Sequence, residues 1–331
     1  MASHKTLSQI NVLRDQQHVK AAVEECNMSS ISNEKQFITI EKSNRRKYML
    51  EKLSGRVFLF CALLSVISLL LIVGFVFYKG SHPFVAEGYS FLDFIFGMDW
   101  VPSEDKFGIF PMIVASLFAT MGALILGVPV GLFTAIFLAE IAPKSVAKII
   151  SPAVQLLAGI PSVLYGVFGL AIIVPFLQNN LGLVKGQSLL AVILVLAIMM
   201  LPTIVTVAET AIRAVPKMYR EGSLALGASP IGTIFKVVVP AAKSGIMAAI
   251  VLGLGRAIGE TMAVILVAGN SLILPTSLTD SVRPLTTNIA LEMGYAFGTH
   301  QEMLFATGIV LFSFILLLNF VLAKIGSKGG K

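Results

Sequence analysis

The chain has 331 residues, 56% of them hydrophobic and 13% charged, with a formal net charge of +7 and a mean hydropathy of +0.86. Soluble domains carry about 25% charged residues, so this composition excludes an ordinary globular enzyme and describes a polytopic membrane protein. The positive balance does not point to nucleic acid, because Lys and Arg gather beside apolar runs, as on the cytoplasmic flanks of membrane spans.

Residues 1–50 are polar and lack sustained periodicity, which predicts a cytoplasmic tail, disordered or loosely helical. Its basic end (Lys42, Arg45, Arg46, Lys47), continued by Lys52 and Arg56, reads first as a topology signal and second as a contact with anionic lipid headgroups. The apolar run 57–78 is too long for a signal sequence core and lacks a small-residue cleavage pattern, so it reads as a retained span. The two cysteines fall in the tail (Cys26) and in this run (Cys61), which argues against a disulfide framework.

A spanning helix needs ~20 mostly apolar residues. Five further runs meet that requirement: 109–138, 149–177, 188–211, 244–269 and 303–323. The expectation is therefore an all-α integral membrane protein with six transmembrane helices. Pro111, Pro129, Pro161 and Pro175 fall in the second and third runs, each the place of a kink or a short re-entrant turn.

The loops give the orientation. The one after the first run carries Glu87, Asp93, Asp99, Glu104 and Asp105 against Lys79 and Lys106. Basic residues mark the alternate connections: Lys144 and Lys148, then Arg213, Lys217, Arg220, Lys236 and Lys243, then Lys324, Lys328 and Lys331. This alternation places both termini in the cytoplasm. The pairs Gly127/Gly131 and Gly255/Gly259 have the four-residue spacing that lets helices approach closely in lipid, and read as packing within the bundle.

Between the fourth and fifth runs, residues 214–243 carry strong punctuation. Pro216 suits a first helical turn, Gly227 a left-handed stop, and Ser229-Pro230 an N-cap followed by proline at the first position. A short polar helix at 219–227, rich in small residues, is thus predicted at the cytoplasmic face. Two readings stay open from physics alone, docking against a protein or lying on the lipid surface; the small residues Gly222, Ser223, Ala225, Gly227 and Ala228 suit close protein contact.

At these residues the chain resembles the permeases of ABC importers. Their cytoplasmic motif is E-A-A, three residues, G, nine residues, I, one residue, L-P. Glu221-Gly222-Ser223, Gly227, Val237, Val239 and Pro240 stand at the same spacing, with Gly and Ser for the alanines and Val for Ile and Leu. The stretches 222–229 and 253–263, with 96–102 and 107–109 outside them, are similar to the PstC kind of phosphate-importer permease, over roughly residues 55–325. The resemblance implies the type I importer permease (MetI-like) fold, with residues 51–331 as the permease domain. It implies that Tyr219, Arg220, Glu221, Gly222, Ser223, Ala225 and Gly227 form a coupling helix in the groove of an ATPase subunit. It further implies a partner permease of the PstA kind, an ATPase dimer of the PstB kind that uses ATP and Mg, and an extracytoplasmic phosphate-binding protein. The setting it implies is a bacterial or archaeal cytoplasmic membrane.

Arg256 lies mid-way along the fifth run, with Glu260 four residues on, a spacing that on one helix puts both on one face. Charges at such depth cost about 2.5–3.5 kcal/mol each on insertion scales. They read either as a structural ion pair or as a site on a substrate path, and the guanidinium fork suits two oxyanion oxygens. A carboxylate at Glu260 would accept the P–OH proton of phosphate and repel sulfate. In the resembled family this Arg and Glu are implicated in transport. Glu209 and Arg213 read as a stabilising interfacial pair, and Asn270, Ser271, Thr286, Thr287 and Asn288 as residues that cap helices or line a mouth.

The sequence has no phosphate-cradling G-x-x-x-x-G-K-[ST] and no nucleophile–base arrangement. His4, His18, His82 and His300 are scattered without metal-ligand spacing. The chain is therefore expected to bind no cofactor and to leave ATP hydrolysis to a partner. A permease for another oxyanion, such as molybdate or sulfate, and a gradient-driven secondary transporter are the alternatives.

Overall fold

The computed structural model describes residues 51–183 and 185–327. The predicted polar tail 1–50 and the terminal lysines Lys328 and Lys331 lie outside the described residues. The chain separates into two compact units, one ending at Val73 and the other running from Gly74.

Helix α1 (Glu51–Val85) is, among the described residues, one of five helices long and apolar enough to cross a membrane. Its first-unit portion leaves Phe58, Phe60, Leu70 and Leu71 exposed, a surface that lipid or another protein must cover. In the second unit, α2 (Phe91–Phe96) is capped by Ser90 Oγ, which accepts from Asp93 N–H. A two-stranded antiparallel hairpin follows, β1 (Trp100–Val101) with β2 (Lys106–Phe107), Trp100 opposite Phe107. Next come α3 (Phe110–Ile136), running on through a π turn at Phe137–Ile141, and α4 (Lys144–Ala158). Helices α5 (Ser162–Phe168) and α6 (Val174–Leu181), joined by a π turn, make one span. The central helix is α7 (Leu189–Arg213). The connection that follows contains α8 (Lys217–Ala225), α9 (Pro230–Thr233), a π turn at Ile234–Val238 and α10 (Val239–Ala241). The chain ends with α11 (Lys243–Gly259), α12 (Met262–Val267), α13 (Leu285–Glu292) and α14 (Thr299–Ser327).

Among the described residues five helices qualify as spans, or six when the pair Pro230–Ala241 and Lys243–Gly259, bent by 70°, counts as one. Two predicted runs need correction. The run 149–177 is not continuous: α4 stops at Ala158, buries none of its residues, and the span is Ser162–Leu181. The break follows from Gly159 and Pro161, because a residue before proline is pushed out of the helical region and proline itself offers no N–H. The run 244–269 is also two helices, interrupted at Glu260 and Thr261.

The core is built on α7. Small residues of α3 (Ala115, Ala119, Ala123) join Val192, Val195, Met199 and Met200 of α7 in one buried cluster. A Cβ at Gly127 would lie 2.9 Å from Met200 Sδ, and one at Gly131 2.8 Å from Ile204 Cγ2. That pair therefore packs α3 on α7 as its spacing predicts. Gly255 and Gly259 do not: nothing lies within 4 Å of a Cβ at either, so their expected role in packing this chain's own bundle is not realised.

Candidate functional site

The break between α11 and α12 sets the geometry of the predicted pair. Arg256 is half-buried on α11, and its Nη1 donates to Thr203 Oγ1 of α7 at 3.3 Å. That length is at the weak end for such a bond, and among the described residues Arg256 makes no ion pair. Glu260 follows the last turn in extended conformation, φ −72° and ψ 129°. The premise that both residues share one helical face is thus corrected: the helix ends before Glu260. The carboxylate turns instead to the next helix, where Oε1 accepts from Ala263 N–H at 3.0 Å and satisfies a donor that the first turn of α12 leaves open. The Glu260 carbonyl accepts from Thr286 Oγ1 at 3.1 Å. Irregular backbone at this depth is tolerated only where protein or a cavity surrounds it. Ser116, Thr120, Ala257 and Val264 line, with Glu260, a cavity of about 10 Å³. That is room for about one water, and a tetrahedral oxyanion does not enter it in this conformation.

The second predicted group lies on α8. Pro216 stands at the N-cap, Gly227 closes the helix at φ +84°, and Ser229 Oγ caps α9 by accepting from Gly232 N–H. Tyr219, Glu221, Gly222, Ala225 and Gly227 are exposed; Ser223 is half-buried, its hydroxyl 2.9 Å from Thr233 Oγ1. Arg220 points the other way. Its Nε lies 3.0 and 3.1 Å from the two carboxylate oxygens of Glu140, Nη2 also reaches that carboxylate, and the fork donates to the carbonyls of Val215 and Ile212. The loop also exposes Met218 and Leu226, the latter 90% accessible, large apolar groups that the small-residue reading passed over. The expected pair Glu209–Arg213 forms at 2.9 Å, with Ser151 Oγ donating to the same carboxylate and Arg213 Nη2 donating to the Leu138 carbonyl.

Residues 127–328 match the family described as binding-protein-dependent transport system inner membrane component. The chain belongs to that family. This permease is 40% identical over 291 residues to "Probable ABC transporter permease protein YqgH" of Bacillus subtilis, covering 85% of this chain and 94% of that one. It is 33% identical over 291 residues to "Phosphate transport system permease protein PstC" of Pasteurella multocida, covering 82% and 90%. Among solved structures it superposes, at 17% identity and a TM-score of 0.60, on a chain of a bacterial ABC transporter that imports the acidic polysaccharide alginate, covering 85% and 99%. The fold is accordingly that of a type I importer permease, and the chain is a transport component, not an enzyme.

The permease fold also assembles polar groups that spacing does not reveal. Glu292 is buried, and accepts from Trp100 Nε1 at 2.7 Å, from Arg283 Nη1 at 2.8 Å and lies 2.8 Å from His300 Nε2. Arg283 also donates to the Asn270 carbonyl and Asn288 Oδ1. At the start of α14, Glu302 lies 2.6 Å from His82 Nδ1 and 3.2 Å from Lys79 Nζ. The donor atoms of His82, Glu87 and Glu302 lie within 4.8 Å of one another, although His82 has no metal-ligand spacing in the sequence; the Lys79 ammonium already balances one of the carboxylates. Of the expected mouth residues, Thr287 and Asn288 are fully buried on α13.

Proposed function

We propose that this chain is one permease subunit of an ATP-driven importer of inorganic phosphate, in the cytoplasmic membrane of a bacterium or archaeon. The observation that carries the reading is Arg256: a half-buried guanidinium on a membrane helix, with one long hydroxyl contact and no carboxylate partner among the described residues. A charge so placed is costly, and its planar fork is suited to two oxygens of an anion. The likeness to a relative named for phosphate transport gives the substrate class. Glu260, beside the same path, accepts the remaining P–OH proton and disfavours a fully ionised dianion such as sulfate.

The resting assembly pairs this chain with a permease of the PstA kind, two copies of a PstB-like ATPase, and an extracytoplasmic phosphate-binding protein. Residues 51–331 form the permease domain, residues 1–50 a cytoplasmic tail, and both termini face the cytoplasm. Tyr219, Glu221, Gly222, Ser223, Ala225 and Gly227 seat α8 in the ATPase groove. The exposed face around Gly255 and Gly259 receives the partner permease. ATP, with Mg, closes the ATPase dimer; α8 follows, and Arg220 passes that movement to Glu140 after α3 and to the end of α7. Because Thr203 is on α7, the same movement reaches Arg256. The switch is driven by different contacts of α8 in the two nucleotide states.

The test is uptake of labelled phosphate by proteoliposomes containing the purified assembly. Uptake should require ATP, the ATPase and the binding protein, and excess molybdate or sulfate should not compete. Glu260→Gln keeps an acceptor for Ala263 N–H while removing the charge, and should lower the preference for phosphate over sulfate. Phosphate uptake by this chain without any ATPase, or efficient competition by the other oxyanions, would overturn the reading.

A further inference from the structure

Four segments converge on Glu292. Trp100 comes from β1, Arg283 from the segment before α13, His300 from the first turn of α14, and the carboxylate itself from the last turn of α13. Hydrogen bonds to a charged group in a low-dielectric site are among the stronger ones, about 1.5–3 kcal/mol each. The hairpin and the end of α13 are thereby held as one body.

The other end of α13 holds Glu260. Thr286 Oγ1 donates to the Glu260 carbonyl at 3.1 Å, and Leu285 N–H donates to Ser116 Oγ of α3 at 2.9 Å. From Thr286 to Glu292 the helix is roughly 9 Å long, too short to bend appreciably, so a shift at one end arrives at the other. It arrives at the break between α11 and α12, where Glu260 has already left the helix. Glu260 N–H keeps only a long 3.4 Å bond to the Ala257 carbonyl, so backbone rotation there costs little helical hydrogen bonding. Thr287 Oγ1 and Asn288 Nδ2, in the middle of α13, are buried with no hydrogen-bond partner among the described residues. Buried polar groups are nearly always paired, and these two are available to a second placement of the helix.

We propose that α13 is a lever between the hairpin and the Glu260 carbonyl, and that Glu292 is the positioning residue that fastens it to Trp100. This inference rests on the proposed import function: the hairpin lies on the side where the binding protein docks, and the lever carries the docking signal to the path beside Arg256. Glu292 itself touches no substrate.

The experiment is a double-variant cycle on the assembled importer in proteoliposomes. Trp100→Phe removes the indole N–H together with part of the buried ring, a packing loss that basal activity and assembly report; Thr286→Val keeps the shape and removes only the hydroxyl. The readouts are ATPase stimulation by the phosphate-loaded binding protein, the affinity of that protein for the assembly, and basal ATPase activity. Trp100→Phe should lower the stimulation about tenfold with affinity and basal activity unchanged, whereas a merely structural role would lower all three through loss of assembly. Thr286→Val should lower stimulation similarly, and the double variant should be no worse than either single one, because both cut the same connection. Multiplying effects, unchanged stimulation, or a loss explained by weaker binding would overturn the lever. Wild-type ATPase that ignores the binding protein would instead sink the import reading on which it stands.

Discussion

Arg220 and Glu140 are clamped together at the end of the bundle where α8 joins α7. The two residues are 80 positions apart in the chain, their side chains only 21% and 10% exposed, and the guanidinium that grips the carboxylate also caps the carbonyls of Ile212 and Val215. One side chain therefore ties α8 to both α3 and α7. Arg220→Ala leaves Glu140 and two carbonyls without their donor and should cost about 2–3 kcal/mol, toward the low end for breaking a buried pair because the site is partly exposed. Thermal unfolding in detergent should show the loss. Arg220→Met with Glu140→Leu should recover most of the stability, since a buried pair replaced by apolar groups is often neutral, yet phosphate moved per ATP should remain low. Full coupling in that double variant would show that α8 needs no such clamp.

A close approach fixes the seat of α14. A Cβ at Gly80 would lie 2.8 Å from the Ala306 nitrogen and 2.9 Å from the Phe305 carbonyl carbon. Backbone cannot swing aside as a side-chain tip can. Gly80→Ala should therefore destabilise the second unit by about 1–3 kcal/mol through overpacking, measured as a lower midpoint in thermal unfolding followed by circular dichroism. Gly74→Ala is the matched control, because nothing lies within 4 Å of its Cβ; a similar fall in both variants would trace the effect to something other than contact with α14.

What could be read in the sequence was whatever local rules decide. The apolar runs at α3, α7 and α14, the stop at Gly227, the cap at Ser229 and the i,i+4 pair Glu209–Arg213 all follow from a few neighbouring residues. No proline marks the interruption between Gly259 and Met262, and Glu260 reads equally well as a charge within a helix; the tertiary bond from Thr286 to the Glu260 carbonyl and the local one from Ala263 N–H to its carboxylate hold the break open. The inward turn of Arg220 depends on Glu140, and the Glu292 network on Trp100, 192 positions away. No periodicity joins such residues. The same limit explains why Gly255 and Gly259 read as packing against this chain, when spacing alone cannot name the surface that meets them.

The loop before α13 has its own dependence on pH. Asp280 accepts from the backbone N–H groups of Thr276 and Ser277 and from the Thr276 hydroxyl, which hold its carboxyl below its ordinary value of 3.8. A depressed folded-state pKa contributes stability above the unfolded value and loses it as pH falls through the folded one. The turn should thus be intact at neutral pH and loosen only below about pH 4. Amide protection of Thr276 and Ser277, corrected for intrinsic exchange, should fall over that interval, and Asp280→Asn should lower it already at pH 7. Protection that ignores both changes would mean that the loop is held from elsewhere.

The contact between Arg256 and Thr203 separates two roles for the guanidinium. If Arg256 were chiefly a strut between α11 and α7, Thr203→Val would be nearly as damaging as loss of the arginine, because among the described residues the threonine hydroxyl is its one hydrogen-bond partner. A bond of 3.3 Å contributes little, so an arginine kept for an anion should be insensitive to that loss. Thr203→Val is expected to change phosphate uptake less than about threefold, within the roughly 0.7 kcal/mol that a weak neutral bond supplies. Arg256→Ala should reduce uptake about 100-fold, equivalent to ~2.7 kcal/mol of lost anion stabilisation. Arg256→Lys keeps the charge without the two-pronged geometry, and belongs between them, about tenfold down. Assembly with the ATPase should be intact in all three, measured by co-purification. The ordering is the informative quantity: equal losses for Thr203→Val and Arg256→Ala would make the pair structural, while wild-type uptake by Arg256→Ala would remove the anion from this helix altogether.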